Sequence, residues 1–166
     1  ATKLVIDFGG GIKNINDIGN VFSAGAAMAT IGSLAVKHPE LLEEWLMEFG
    51  ADKFLIGADV LEGKIKISGW LEDGGIDIFT FIGKVIGLGA HNIFCTDISK
   101  DGAMEGPSVE LYKQIIEQHP EINLIASGGV TTMDDVMELK EIGCSGAIIG
   151  KAIYEGNISL QQLTLL

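Results

Sequence analysis

The chain has 166 residues and a formal net charge of −12, with 23 acidic side chains against 11 basic ones, all of them lysines. It is 47% hydrophobic, which suits one folded domain with a sizeable core and excludes intrinsic disorder. Its acidic surface repels nucleic acid and anionic membranes, so neither is an expected partner, and an anionic ligand must be held by local backbone geometry.

Six short apolar runs predict buried strands, which in chain order are Lys3–Phe8, Ala27–Ile31, Lys53–Asp59, Asn92–Asp97, Asn123–Ala126 and Gly146–Ile149. The stretches between them have helical periodicity. Pro39 begins one helix, and Thr132 or Asp134 caps another. The helices are expected to end at glycines, namely Gly25, Gly50, Gly89 and Gly143. Strand and helix alternating without hairpins predicts a parallel sheet in a single α/β domain over residues 1–166.

A repeat lies within this series. The segment GGIKNINDIGNVFSAGAAMATIGS at residues 10–33 aligns without gaps on GGVTTMDDVMELKEIGCSGAIIGK at residues 128–151. In each copy a glycine pair follows one strand, and a single glycine follows the next. Such glycines either permit tight turns or let backbone N–H groups approach a phosphate. Two ungapped copies favour two phosphate cradles.

The fold class expected from this pattern is a (β/α)8 barrel with internal half-barrel symmetry. The two cradles would lie across its mouth from each other, so the ligand would carry a phosphate at each end. Six βα units cannot close an eight-stranded barrel. The chain is therefore expected to lack about two N-terminal βα units.

Acidic residues follow two of the predicted strands. Asp59 ends one strand, and Asp101 lies in a loop after Thr96 and Asp97 end another. A carboxylate at the carboxyl end of a barrel strand indicates catalysis, and two such acids can serve as general acid and base. A helix cap remains the alternative for Asp59, as a tight turn does for Asp101, and Asp97 is expected to be structural.

Trp70 lies in a glycine-flanked loop, where it either stacks on a flat ligand ring or packs on the rim. Cys95 and Cys144 lack CxxC spacing and are expected to be free thiols of a reducing cytoplasm. The three histidines form no metal-binding spacing. No signal peptide and no apolar run of 18 residues is visible, which also favours a cytoplasmic protein.

The motifs GGGIKN, IGS, GADV with SGW, TDISKDG, IASGGV and IIGKAIYEG occur in an order that resembles the phosphoribosylformimino-5-aminoimidazole carboxamide ribotide isomerases of histidine biosynthesis. The resemblance spans essentially the whole chain. It implies a (β/α)8 barrel of which this chain supplies the third to eighth strands. It also implies an Amadori rearrangement of an aminoaldose bisphosphate to an aminoketose, with no cofactor and no metal, in an enzyme that is monomeric when complete.

The resemblance also assigns roles to residues. Asp59, Asp101 and Thr96 would be catalytic, with either aspartate as the acid. Trp70 would stack on the substrate. One phosphate would be bound by Gly10, Gly11, Gly32 and Ser33, and the other by Ser127, Gly128, Gly129, Gly150 and Lys151. The family's general base ends the first barrel strand, which this chain does not contain, so the 166 residues alone are expected to be inactive.

Three alternatives stay open from the sequence. The cyclase subunit of imidazole glycerol phosphate synthase binds a similar bisphosphate, but it lacks the SGW loop and docks a glutaminase. A non-catalytic bisphosphate-binding fragment would bind without turnover. A bifunctional isomerase that also serves tryptophan biosynthesis is disfavoured by the absence of arginine.

Overall fold

The computed structural model describes residues 3–165. The strands are Asp7–Gly9 (β1), Met28–Ile31 (β2), Phe54–Leu61 (β3), Lys64–Ile67 (β4), Glu72–Asp77 (β5), Asn92–Asp97 (β6), Asn123–Ser127 (β7) and Gly146–Ile148 (β8). The helices are Ile15–Ser23 (α1), Ser33–Lys37 (α2), Pro39–Phe49 (α3), Ile78–Gly87 (α4), Val109–Gln118 (α5), Met133–Glu141 (α6), Lys151–Tyr154 (α7) and Leu160–Leu163 (α8). A 3-10 turn spans Ala51–Lys53.

Six strands form one parallel sheet in the order β1-β2-β3-β6-β7-β8, which is also their order along the chain. Because βα crossovers are right-handed, crossovers that all step the same way along a sheet place their helices on one face. A doubly wound sheet would instead reverse its strand order at a switch point. The topology is therefore that of a parallel barrel wall, as predicted.

The side chains of each strand alternate between two faces of this sheet. On one face the rows are apolar: Ala58, Cys95 and Ala126 are Cα partners across three strands, and all three are fully buried. This face packs against the helices, where the buried residues Leu42, Trp45, Ile82, Tyr112 and Leu139 meet it. The opposite, inner face carries the polar residues discussed below.

The repeat is visible in the hydrogen bonds as well as in the sequence. The Asp17 carboxylate accepts hydrogen bonds from the backbone N–H groups of Lys13 and Asn14, at 2.8 and 3.1 Å. The Asp135 carboxylate does the same for Thr131 and Thr132, both at 2.8 Å. These acids close the capping boxes that begin α1 and α6. Each copy thus fixes the loop that follows its glycine pair.

Several predicted boundaries are confirmed. Thr132, not Asp134, caps α6, and Pro39 is the first residue of α3. The chain leaves its helices through glycines with positive φ, as expected: Gly25 (97°), Gly50 (90°), Gly89 (100°) and Gly143 (98°).

Two predictions about strands are wrong. The first strand comprises Asp7–Gly9 instead of Lys3–Phe8. Among the described residues it pairs only with β2, and the hydrogen bonds from that side extend no further toward the N-terminus than the Ile6 carbonyl. The chain also contains hairpins: β4 pairs antiparallel with both β3 and β5. The turn from β3 to β4 has positive φ at Glu62 and Gly63, which is the geometry that favours tight hairpins.

The β1 side of the sheet exposes apolar side chains. Ile6 and Phe8 are about half exposed, and with Ile12 and Val21 they line an apolar groove beside α1. At the other end of the sheet, Ile148 of β8 is 44% exposed. Exposed apolar side chains thus lie at both edges of the described parallel sheet.

Candidate functional site

The polar inner face holds one row of functional side chains. Asp59 of β3 is the Cα partner of Thr96 in β6, and Thr96 is the Cα partner of Ser127 in β7. Neighbouring strands lie about 4.8 Å apart, so the three side chains stand side by side. Thr96 and Ser127 are both buried. The sheet therefore brings together three of the predicted site residues.

A cavity of about 700 Å³ lies on one side of this row. It is lined by Gly10, Gly11, Gly32, Ser33, Asp59 and Gly69, among others. All four glycine and serine positions of the first predicted cradle thus reach one space, together with a predicted catalytic carboxylate. Gly10 and Gly11 both have positive φ, which turns the chain after β1.

A second cavity of about 220 Å³ lies on the other side of the row. Its lining includes Asp101 and the whole second predicted cradle, namely Ser127, Gly128, Gly129, Gly150 and Lys151. The two copies of the repeat therefore form two separate cavities, with the Asp59–Thr96–Ser127 row between them.

The second glycine pair is held by close packing. A Cβ on Gly128 would stand 2.8 Å from the Asp97 carbonyl oxygen, and one on Gly129 would collide with the Gly106 carbonyl. A Cβ added at Gly10 or Gly11 would meet no other atom within 4 Å. The loop after β6 thus lies directly on the second cradle, whereas no described residue covers the first pair in this way.

Lys151 has a partner that its predicted role did not include. Its Nζ donates a hydrogen bond to the Gly102 carbonyl at 2.9 Å and lies 3.8 Å from Glu155. The ammonium group therefore contacts the residue next to Asp101. Lys151 lines the second cavity and at the same time holds the loop that presents Asp101.

The carboxylate of Asp97 is structural, as predicted. It accepts hydrogen bonds from the Ser99 backbone N–H, the Ser99 hydroxyl and the Ser108 hydroxyl. Its backbone carbonyl accepts from the N–H groups of Lys100 and Asp101. By contrast, no group between residues 3 and 165 donates a hydrogen bond to the carboxylates of Asp59 or Asp101. Both acids are available to a ligand.

Trp70 lies on a hairpin turn rather than in an open loop. Ser68, Gly69 and Trp70 all have positive φ, and the Trp70 side chain is 42% exposed. The Ser68 backbone N–H donates to the Ser33 hydroxyl at 2.8 Å. This contact ties the turn to a residue of the first cradle, and Gly69 reaches the first cavity.

Sequence reasoning missed several residues of the first cavity. Lys13, Thr30, Lys37, His38 and Phe94 all line it. Thr30 donates to the Asp7 carboxylate at 2.6 Å, which fixes both side chains at the β1–β2 boundary. Lys13 directly follows the glycine motif and could have been noticed, whereas Phe94 and Lys37 reach the cavity only through strand register and helix orientation.

Thiol and metal chemistry have no candidate residues in the part of the chain that the structure describes. Burial raises the pKa of the Cys95 thiol, and it raises that of Cys144 to about 11, so both thiols stay protonated at neutral pH. Between residues 3 and 165 no group of three or more His, Cys, Asp or Glu side chains could hold a metal ion. In the same part of the chain, every helix is too short or too polar to cross a bilayer.

The fold and the site together define a parallel α/β protein in which two glycine-lined cavities flank an inner-face acid at the strand carboxyl ends. Comparison with known proteins then gives the family. The model for histidine biosynthesis proteins matches residues 1–159. The chain belongs to this family, which confirms the resemblance found in its motifs.

Relatives within the family carry a specific name. The chain is 46% identical over 164 residues to a 1-(5-phosphoribosyl)-5-((5-phosphoribosylamino)methylideneamino)imidazole-4-carboxamide isomerase of Bacteroides thetaiotaomicron, an alignment that covers 99% of the chain and 69% of the relative. It is 49% identical over 162 residues to the isomerase of that name from Flavobacterium psychrophilum, covering 98% and 67%. The corresponding isomerase of Flavobacterium johnsoniae is 48% identical over 162 residues, covering 98% and 68%.

Proposed function

We propose that this protein is the isomerase of histidine biosynthesis that converts its aminoaldose bisphosphate to the aminoketose by an Amadori rearrangement. The observation that carries the proposal is the Asp59–Thr96–Ser127 row between two glycine-lined cavities. The names of the relatives support the same reaction. The reaction is an isomerisation, so no atom is gained or lost and no external redox partner is consumed.

The two cavities suit the two ends of such a substrate. In the proposed complex one phosphate lies against Gly10, Gly11, Gly32 and Ser33, and the other against Ser127, Gly128, Gly129, Gly150 and Lys151. Positive φ at the glycine pairs turns backbone N–H groups toward the cavities, where they donate to phosphate oxygens. In this way a protein of net negative charge can bind two anions. The reacting carbons then lie over the row in the middle.

The proposed chemistry requires an acid and a base. Asp59 or Asp101 protonates the ribose ring oxygen, and the ring opens to a Schiff base. A base removes the proton from the neighbouring carbon, and the enolamine that forms tautomerises to the ketose. Thr96 stands next to Asp59 and can donate or accept one hydrogen bond during these transfers. Trp70 stacks on the flat ring of the substrate.

We further propose that two additional βα units close the sheet into a (β/α)8 barrel and supply the general base. Three observations support closure: the strands follow chain order, apolar side chains are exposed at β1 and β8, and the relatives are longer than this chain. The 166 residues alone are then inactive, and the completed barrel is a monomer in the cytoplasm.

Turnover of the aminoaldose by the full-length protein tests the function. Asp59→Asn and Asp101→Asn should each be assayed. Loss of the general acid should reduce kcat by about a hundredfold or more. Asp52→Asn is the matched control, because Asp52 is almost fully exposed and pairs with His91 away from both cavities. Full activity of both site variants would show that the chemistry lies elsewhere.

The assay also separates the rival functions. Ammonia-dependent cyclisation without isomerisation would identify a cyclase. Bisphosphate binding without any turnover would identify a binding protein. Isomerisation without a partner protein or added metal is the outcome expected here.

A further inference from the structure

Helix α2 makes three hydrogen bonds to the turn that carries Trp70. The Ser68 backbone N–H donates to the Ser33 hydroxyl at 2.8 Å. The Lys37 ammonium group donates to the Ser68 hydroxyl and to a Glu72 carboxylate oxygen, both at 3.0 Å. Ser68 and Glu72 lie on either side of Trp70 in sequence. The contacts therefore hold both ends of the turn.

The turn depends on support from outside itself. Ser68 and Trp70 adopt positive φ values of 56° and 71°, which are unfavourable for residues with a Cβ. The pairing of β4 with β5 also shifts register between Lys64 and Lys66. Burial of Ile65 and Ile67 anchors β4 in the core, but residues 69–73 are exposed and gain little from packing. The contacts from α2 are thus well placed to select one conformation of the turn.

We propose that Lys37 is a positioning residue for Trp70. Its ammonium group holds the turn against α2. Gly69 of this turn lines the first cavity, so the contact sets where the neighbouring Trp70 indole lies relative to that cavity. The same hydrogen bond lowers the pKa of the Glu72 carboxyl. The substrate side of this inference rests on the function proposed above, whereas the effect on Trp70 itself does not.

A direct contact between Lys37 and a substrate phosphate is the competing explanation, because Lys37 lines the first cavity. The two explanations make opposite predictions for the acceptors of Lys37. Ser68→Ala combined with Glu72→Met removes both acceptors and leaves the cation. If Lys37 positions Trp70, this double variant should behave like Lys37→Met. If Lys37 binds phosphate directly, the freed cation should bind it as well or better.

Fluorescence quenching by acrylamide measures the position of Trp70 without any substrate. Of the two tryptophans in these 166 residues, Trp45 is 2% exposed and Trp70 is 42% exposed, so a difference in quenching between each variant and the wild type reports mainly on Trp70. Lys37→Met and the Ser68→Ala/Glu72→Met variant should both raise the quenching constant in the full-length protein, and Lys37→Arg should restore it. Lys66→Met is the matched control, because its 3.0 Å ion pair with Asp73 lies within the same hairpin but does not reach α2.

Steady-state kinetics of the aminoaldose reaction then test the consequence. Lys37→Met should raise KM about two- to fivefold, the range expected of an exposed ion pair, and leave kcat nearly unchanged. In a Trp70→Phe background the same substitution should have no further effect on KM. An unchanged quenching constant in both Lys37→Met and the double variant at positions 68 and 72 would overturn the proposal. So would an effect of Lys37→Met on KM that persists in the Trp70→Phe background. Absence of turnover in the wild type would refute the proposed function instead, and the quenching result would still stand.

Discussion

Asp59 and Thr96 are Cα partners in the neighbouring strands β3 and β6, with both side chains on the inner face of the sheet. The pair does not arise from any contact between the two side chains. It follows from strand register, which the apolar partners Ile56 and Ile93 set by burying their side chains under the helices. A slip of one residue in either strand would turn the polar group of that strand to the helix side, so the packing of the apolar core determines where the site forms.

Thr96→Val is expected to lower the rate of the reaction without disturbing the fold. The substitution keeps the branched shape and removes only the hydroxyl group, which is buried beside Asp59. We expect kcat of the full-length enzyme to fall about tenfold or more, since one proton-transfer partner is lost. Thr96→Ser, which keeps the hydroxyl, is the control. Equal activity of the two variants would remove Thr96 from the mechanism.

The repeat allowed much of this site to be predicted. An ungapped offset of 118 residues places Gly10 on Gly128 and Asp17 on Asp135, and the structure shows matching backbone hydrogen bonds to both acids. Glycine and capping signals are local, so a single sequence carries them. For the same reason the helix starts at Pro39 and Thr132 were predictable.

The hairpin could not be predicted in this way. The KIKI segment of β4 alternates as a half-buried strand should, but four residues are too few to distinguish a strand from a loop. The pairing of β4 with β3 and β5 is a tertiary choice, and it decides where Trp70 lies. The contact of Lys37 with Glu72, 35 positions apart, is equally invisible before the chain is folded.

The two cradles should respond differently to added side chains. Gly150 has negative φ, and a Cβ added there would meet nothing within 4 Å, so Gly150→Ala should disturb the fold less than Gly128→Ala does. It should raise KM for the bisphosphate, because the new methyl group occupies the space of a phosphate. A normal KM would remove Gly150 from the binding site.

Gly128 is the instructive contrast, since it has a φ of 92° and lies against the Asp97 carbonyl. Gly128→Ala should lower the free energy of unfolding by about 1–3 kcal/mol, through backbone strain and that collision. Chemical denaturation measures this loss. A binding defect in this variant says little about phosphate contact, because the fold itself is disturbed.

Tyr112 of α5 should stabilise Ser127 of the second cradle from the helix-covered face of the sheet. Its buried hydroxyl donates to the Ser127 carbonyl at 2.6 Å. Tyr112→Phe should cost about 1–2 kcal/mol of unfolding free energy, because the carbonyl loses its partner in a dry environment. Urea denaturation of the two proteins gives the difference. A variant as stable as the wild type would show that water replaces the hydroxyl.

Stability should decrease above about pH 9, and Cys144 should account for part of the decrease. Burial raises the pKa of this thiol from 9.0 to about 11 in the folded protein. Between these values the unfolded chain has released the proton and the folded chain retains it. The unfolded state therefore binds fewer protons, and the free energy of unfolding falls as pH rises. The slope stays below the roughly 1.4 kcal/mol per pH unit of a fully shifted group, because Cys144 is only partly buried and solvent screens it.

Cys144→Ala isolates this contribution. Denaturation of the variant and the wild type at pH 8 and at pH 10.5 should show a smaller pH effect in the variant. The decrease that remains should come from Cys95 and Tyr112, whose pKa values are also raised, chiefly by burial. Both groups favour the folded state only while they are protonated, so their contribution is lost from about pH 9 to 10 upward. An identical pH dependence in the two proteins would mean that the Cys144 thiol ionises in the folded state as readily as in the unfolded chain.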